Sequence, residues 1–173
     1  EIVINAGGLW AREVGKMAGI NLPVQPMEHH YLITETIPEI KERENEPRLP
    51  IGTDFEGNIY FRQEAQGMLL GTYEFKSTPW QVKQTPMDFG HELLEPKLDN
   101  IQDRLEVGFK RIPSLERAGI KNIINGPFTF GPDGSPLIGP VPGKKNYWVA
   151  VGVMAGFCQA GGVGKCIAEW IID

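Results

Sequence analysis

The chain has 173 residues, 41% of them hydrophobic and 23% charged, enough to bury a core as one domain or two lobes and too apolar to stay disordered. Its 17 Lys and Arg against 22 Asp and Glu give a formal net charge of −5 with no basic cluster, which excludes a nucleic-acid partner. No apolar run approaches the roughly 20 residues that span a bilayer, so no membrane insertion is expected.

Cys158 and Cys166 have no partners at metal-ligand spacing, which fits a reducing compartment and no metal site. The chain opens directly on a strand, without an initiator Met or signal peptide, and ends inside a helical pattern; a longer parent protein is expected.

Ile2-Val3-Ile4 is a short apolar run that meets the glycine turn Asn5-Ala6-Gly7-Gly8. Trp10, Val14, Met17 and Ala18 follow at helical spacing, so the segment predicts strand, turn and helix. Residues 24–36 contain Met27-Glu28-His29-His30-Tyr31-Leu32-Ile33-Thr34, a predicted strand in which His29 and His30 point to opposite faces. Residues 37–50 are charged and bounded by proline, an exposed excursion with one helical turn.

A hairpin is predicted next. Residues 58–64 and 68–74 alternate as strands, joined by Ala65-Gln66-Gly67. By alternation Tyr60, Arg62 and Glu64 share a face, as do Leu69, Gly71 and Tyr73. Residues 75–90 read as loop. Leu94, Leu98, Ile101, Leu105, Phe109 and Ile112 trace one stripe of a helix over 93–112, ended by Pro113. Residues 120–130 are a strand, and turns at 131–136 and 143–146 lead into the run 147–164.

That run organises the chain. Residues 147–151 form a buried strand, Gly152 and Gly156 allow a turn that another molecule can approach closely, and a helix starting near Ala160 carries Val163, Ile167, Trp170 and Ile171. Two strand–glycine turn–helix units, one at each end, suit an anionic or carbonyl-rich ligand. No G-x-G-x-x-G fingerprint, serine nucleophile elbow, phosphate loop or paired-histidine motif is present. Chemistry, if there is any, then falls to a bound organic cofactor.

Several stretches together resemble a known family. They are Asn5-Ala6-Gly7-Gly8-Leu9-Trp10-Ala11, Glu28-His29-His30-Tyr31, Tyr60-Phe61-Arg62-Gln63-Glu64, Gly71-Thr72-Tyr73-Glu74, residues 125–140 (N-G-P-x-T-x-x-P-D-x-x-P-x-x-G-P), and the glycine run to Gly164. In order and over essentially the whole chain, they are similar to FAD-dependent oxidoreductases of the D-amino-acid-oxidase type, in the dimethylglycine and sarcosine dehydrogenase branch. The resemblance implies an α+β fold with α/β edges, in which a mixed, antiparallel-rich substrate-domain sheet with helices is flanked by segments of a discontinuous FAD-binding domain. Residues 1–21 and 120–173 would be FAD-domain segments, and 22–119 the substrate domain.

It further implies that Asn5, Gly7, Gly8 and Trp10 lie against FAD and that Gly152, Val153, Met154, Ala155, Gly156, Phe157 and Cys158 line the flavin ring. His29, Tyr60, Tyr73 and Glu74 are the expected catalytic residues on the amine, with Arg62 a weaker candidate for the substrate carboxylate. His30 stands where the family often carries another polar residue, which favours His29. The implied substrate is a small N-methyl amino acid. The implied partners are an electron acceptor and, through a domain outside the chain, tetrahydrofolate. The implied compartment is the mitochondrial matrix in a eukaryote or the cytoplasm in a bacterium. A non-catalytic regulatory protein of the pyruvate dehydrogenase phosphatase type, on the same scaffold, is the alternative. The flavin-binding fingerprint and the flavin-linking histidine of the branch lie outside the chain, so the fragment alone is expected to be inactive.

Overall fold

The computed structural model describes residues 1–172. The elements are β1 (Val3–Asn5), α1 (Ala11–Met17), β2 (Gln25–Thr34), α2 (Pro38–Lys41), β3 (Gly52–Asp54), β4 (Ile59–Glu64), β5 (Gly67–Thr72), α3 (Gln102–Arg111), α4 (Pro113–Arg117), β6 (Ile120–Phe130), β7 (Leu137–Pro140), β8 (Tyr147–Val151) and α5 (Gly156–Ile172). They form a three-stranded sheet in the order β1-β8-β7 and a five-stranded sheet in the order β3-β4-β5-β2-β6. The expected α+β class holds.

The chain divides into two compact units. One comprises Glu1–Met27, Pro79–His91 and Pro127–Asp173; the other comprises Glu28–Thr78 and Glu92–Gly126. In the first, β1 runs parallel to β8, with Ile4 opposite Trp148, and β7 runs antiparallel on the other side of β8. Its core gathers Ala11, Ile20, Leu22, Val24, Tyr147, Val149 and Val151. Alternation in β8 explains this choice, since Tyr147, Val149 and Val151 share one face.

Burial in α1 departs from the apolar stripe read in the sequence. Met17 is 76% exposed, while Arg12 and Glu13 are buried. These two charged residues hold the segment Pro79–His91. Arg12 donates to the carbonyls of Gln81 at 2.7 Å and Val82 at 2.9 Å, and to the side chain of Gln25 at 3.1 Å. Glu13 accepts the Thr85 N–H at 3.0 Å, and the Trp10 indole donates to the Pro86 carbonyl at 2.8 Å. A stretch that reads as structureless is thus fixed by side chains acting as the missing half of its backbone pairing.

In the second unit the sheet is antiparallel from β3 through β2. The hairpin β4–β5 turns on two residues, Ala65 and Gln66, because Gly67 already pairs with Glu64. A Cβ on Gly67 would lie 2.6 Å from the Glu35 carbonyl, so glycine serves close approach there rather than the turn. The short edge strand β3 was missed in the sequence. Leu32, Ile37, Ile40, Ile59, Met68, Leu70, Ile101, Leu105 and Leu115 form the core.

The helix expected over 93–112 is shorter. Pro96 lacks an N–H and disfavours a helical Glu95, so only a single tight turn at Leu98–Asn100 precedes α3, and Leu98 is 47% exposed. Pro113 ends α3 and also takes the first position of α4, where its missing donor costs nothing.

Replacing Arg12 by Met would leave the Gln81 and Val82 carbonyls without their donor. The expected outcome is faster proteolytic cleavage within residues 81–86 at unchanged helix content, measured by limited proteolysis beside circular dichroism.

Candidate active site

The carboxylate of Glu74, with 2% of its side chain exposed, is the centre of the candidate site. Its Oε2 lies 2.8 Å from His29 Nδ1. Its Oε1 accepts the His30 backbone N–H at 2.6 Å and lies 2.9 Å from His30 Nδ1. An ionised carboxylate only accepts, which assigns the Nδ1 proton to both rings. For His30 the second nitrogen agrees, because Nε2 accepts the Lys97 backbone N–H at 3.2 Å. Burial alone would raise the Glu74 pKa; the hydrogen bonds from His29 and His30, with the neighbouring His29 charge, overcome it and bring the pKa down to about 2.

Why both rings reach one carboxylate follows from where the strand ladder stops. The β2–β5 pairing ends where Tyr31 stands opposite Gly71, and beyond it the Glu74 side chain, not a backbone carbonyl, accepts the His30 N–H. The Thr72 hydroxyl likewise donates to the His30 carbonyl, at 3.2 Å. A carboxylate that replaces a ladder partner lies near the plane of the sheet, so neighbours pointing to opposite faces can flank it. Two histidines that alternate along the strand thus share one acceptor, while the His30 ring stays wholly buried.

The other two expected catalytic residues join His29. The ring centroids of His29 and Tyr73 are 5.8 Å apart, those of His29 and Tyr60 6.5 Å, and those of Tyr60 and Tyr73 5.5 Å. Burial, then the nearby Tyr73 and Glu74 charges, push the Tyr60 hydroxyl up to about 12, so it remains a protonated donor. Tyr60 stands opposite Gly71, and a Cβ there would fall 1.9 Å from its ring. Gly71 opens a motif quoted from the sequence, but its part in seating Tyr60 was not read there, although a glycine facing an aromatic across a strand pair is a readable signal. Arg62 pairs with Glu64 on a partly exposed face.

Three further polar residues of this unit escaped the sequence reading as a group. Glu28, 6% exposed, accepts from Lys97 Nζ at 2.5 Å and from Asn125 Nδ2 at 2.8 Å. Asn125 also donates to the Glu95 carbonyl at 2.8 Å. Both Glu28 and Asn125 belong to quoted motifs, but nothing in their spacing joins residues 97 positions apart.

In the first unit, Asn5 is buried and braces the first glycine turn: its Nδ2 donates to the Ala11 carbonyl at 2.9 Å and its Oδ1 accepts the Gly7 N–H at 3.0 Å. Gly8 follows with φ +52°. Gly152 turns the chain out of β8 with φ +66°, and a Cβ there would come 3.1 Å from the Gly131 nitrogen. A cavity of about 600 Å³ opens here, lined by Gly8, Gly152, Val153, Met154 and Gly156 among others, and walled by Ile167 and Ile171 of α5. Gly7, Trp10, Ala155, Phe157 and Cys158 do not line it. The last helix begins at Gly156, four residues before the expected Ala160, so Phe157 and Cys158 lie in its first turn and are exposed. Among the described residues, no group of His, Cys, Asp and Glu could hold a metal ion.

Comparison with known proteins places this frame first by fold. L-Proline dehydrogenase from P. horikoshii superposes with a TM-score of 0.73 at 27% identity, over 98% of this chain and 42% of that one. The family model DAO, FAD dependent oxidoreductase, matches residues 1–170, and the chain belongs to that family. Mitochondrial dimethylglycine dehydrogenase of Mus musculus is 46% identical over 175 residues, 98% of this chain and 20% of that protein. Mitochondrial sarcosine dehydrogenase of the same species is 33% identical over 171 residues, 98% of this chain and 18% of that protein. The chain thus spans about a fifth of the length of these relatives. The cavity is a fit for part of FAD: its size is within the range of cofactor pockets, its walls are apolar, and Gly8 and Gly156, where an added Cβ would meet nothing within 4 Å, leave backbone open to a ligand.

Two outcomes follow. Gly71→Ala is expected to displace Tyr60 and cost about 1–3 kcal/mol, measured by urea unfolding. The second concerns acid. An unfolded Glu74 takes up its proton near 4.5 and the folded one only near 2, so its contribution is complete above about pH 4.5 and is lost as pH falls toward 2. Across that window wild type should lose on the order of 3 kcal/mol more stability than Glu74→Gln; parallel pH–stability curves for the two proteins would contradict the assignment.

Proposed function

We propose that this chain is part of a flavin-dependent dehydrogenase that oxidises a small N-methyl amine, such as dimethylglycine or sarcosine, at its N-methyl carbon. The observation that carries the reading is the buried Glu74 carboxylate bonded to His29 beside Tyr60 and Tyr73, in a chain of the FAD-dependent family. Residues 1–21 and 120–173 belong to the FAD domain and residues 22–119 to the substrate domain. Asn5, Gly7, Gly8, Trp10 and the segment 152–158 hold or shape the cofactor's seat, the glycine turns offering backbone amides and close approach.

FAD, when bound, supplies the acceptor for the hydride that leaves the N-methyl carbon. The protein's share is proton management and positioning. His29, with Nδ1–H donated to Glu74, presents Nε2 as the acceptor for the proton of the substrate ammonium, which must leave before the nitrogen lone pair can assist hydride loss. Glu74 fixes that tautomer and offsets the positive charge that His29 gains. Tyr60 and Tyr73 border His29, exclude water, and offer aromatic faces to a methylated cation. The resulting iminium adds water and releases formaldehyde, or passes its one-carbon unit to tetrahydrofolate bound elsewhere. An electron-transfer protein is the partner that such a flavin would require. The mitochondrial matrix in a eukaryote, or the cytoplasm in a bacterium, is the compartment in keeping with this chemistry.

The test is dimethylglycine-dependent dye reduction by the full-length protein, with Glu74→Gln and His29→Ala beside wild type. Wild type is expected to be yellow and active, and each variant to keep its flavin while kcat falls roughly 10²–10⁴-fold. Yellow protein inert toward every N-methylglycine would move the substrate elsewhere among the amines. A colourless, folded protein would leave the non-catalytic regulatory scaffold instead.

A further inference from the structure

His29 and His30 together make three hydrogen bonds to the Glu74 carboxylate, and only one comes from His29. The other two come from His30, through its backbone N–H and its ring, and both end on Oε1. His30 is wholly buried. Its ring has a donor role on one side and an acceptor role on the other, because the Lys97 backbone N–H occupies Nε2. A backbone N–H cannot reverse its polarity, so this bond fixes the ring as the Nδ1–H tautomer in its neutral form. Lys97 is in turn tied by its side chain to the buried Glu28, which Asn125 also holds. The ring therefore sits between a fixed donor and a fixed acceptor, and its orientation is set by the fold and not by a ligand.

We infer that His30 is a positioning residue for the amine-oxidising site: by saturating Oε1 of Glu74 it turns Oε2 toward His29 and keeps the carboxylate ionised for that one partner. The inference rests on the proposed role of the Glu74–His29 pair. It adds a residue that touches neither substrate nor flavin in that scheme. Without the His30 ring, Oε1 retains only the backbone N–H, and the carboxylate can rotate or share its charge between fewer donors. His29 then loses the restraint that keeps its Nε2 aimed, and a misplacement on the order of 1 Å can cost about 100-fold in rate. The groups facing the carboxylate are His29 and His30 from β2, Tyr60 from β4 and Tyr73 from the segment after β5.

The experiment compares wild type, His30→Leu and His30→Asn in the full-length, flavin-loaded protein. Asparagine places an amide N–H close to where Nδ1–H stands; leucine fills the space and donates nothing. Two quantities are read: kcat and KM for dimethylglycine as functions of pH, and the Glu74 carboxyl titration by ¹³C NMR, which needs no turnover. In His30→Leu the expected results are a roughly 10- to 100-fold lower kcat at nearly unchanged KM and a Glu74 titration moved upward. His30→Asn should recover most of each. A folded, flavin-loaded His30→Leu with an unmoved Glu74 titration, or with wild-type kcat and pH profile, overturns the inference. If leucine prevents folding, the asparagine variant decides: loss of activity with an unchanged titration overturns it, and retention of both supports it. Wild type inert toward N-methyl amines would sink the proposed function, while the titration would still decide whether His30 holds Glu74.

Discussion

A buried carboxylate is tolerable only when charged donors or fixed dipoles surround it, and Glu74 meets that condition by taking over a place in a β-ladder. Its side chain accepts the bond that a strand carbonyl would otherwise accept from His30, and the rings of two successive residues close on it from either side. The arrangement depends on the β2–β5 pairing ending where Tyr31 stands opposite Gly71. One more residue of pairing would supply a backbone partner to His30 and leave Glu74 no reason to turn inward. Gly71 contributes to the same geometry, since only a residue without a Cβ lets the Tyr60 ring lie against the strand beside this end.

The first unit is governed by a different constraint, close backbone approach. Glycine at 152 takes a left-handed φ and passes so near Gly131 that a Cβ would force a shift. Asn5 spends both amide atoms bracing the other glycine turn, which explains why asparagine stands there without any need for it to touch a ligand. The cavity that these turns border is walled by the apolar face of α5, whereas Trp170 leaves that face to lean on Trp148 with ring centroids 5.5 Å apart. The stripe read as one surface in the sequence therefore does two jobs.

Much of the fold was legible because period and punctuation are local. The strand at 120–130, the β4–β5 hairpin, and the strand–turn–helix ends came directly from alternation, glycine and proline. The reading failed where a distant partner decides. The periodic stripe over 93–112 could not outweigh Pro96. The apolar residues of α1 did not predict that Arg12 and Glu13 would be the buried ones, because their partners at 81, 82 and 85 lie about 70 residues away. For the site, His29, Tyr60, Tyr73 and Glu74 were named through the resemblance to the flavin-dependent family, and the structure brings all four together. His30 was set aside because the family often carries another polar residue there, a comparison blind to the carboxylate at Glu74 that its ring and its backbone N–H both reach.

That carboxylate bears on what the protein would contribute to the proposed catalysis. With both oxygens of Glu74 engaged and its pKa near 2, the carboxylate is a poor candidate for taking a proton itself. A group held that firmly ionised is worth more as a fixed negative charge beside an imidazole that must become positive, because a preorganised partner need not rearrange when charge develops. The protein thus has no need of a strong base of its own. In the proposed amine oxidation, proton loss from the ammonium is a modest step and the redox step would fall to the flavin, which leaves the chain to keep one ring nitrogen aimed and one charge in place. Burial of Glu74, which by itself would favour its neutral form, becomes useful once the two histidines overcome it, since the same dry surroundings strengthen the attraction that orients His29.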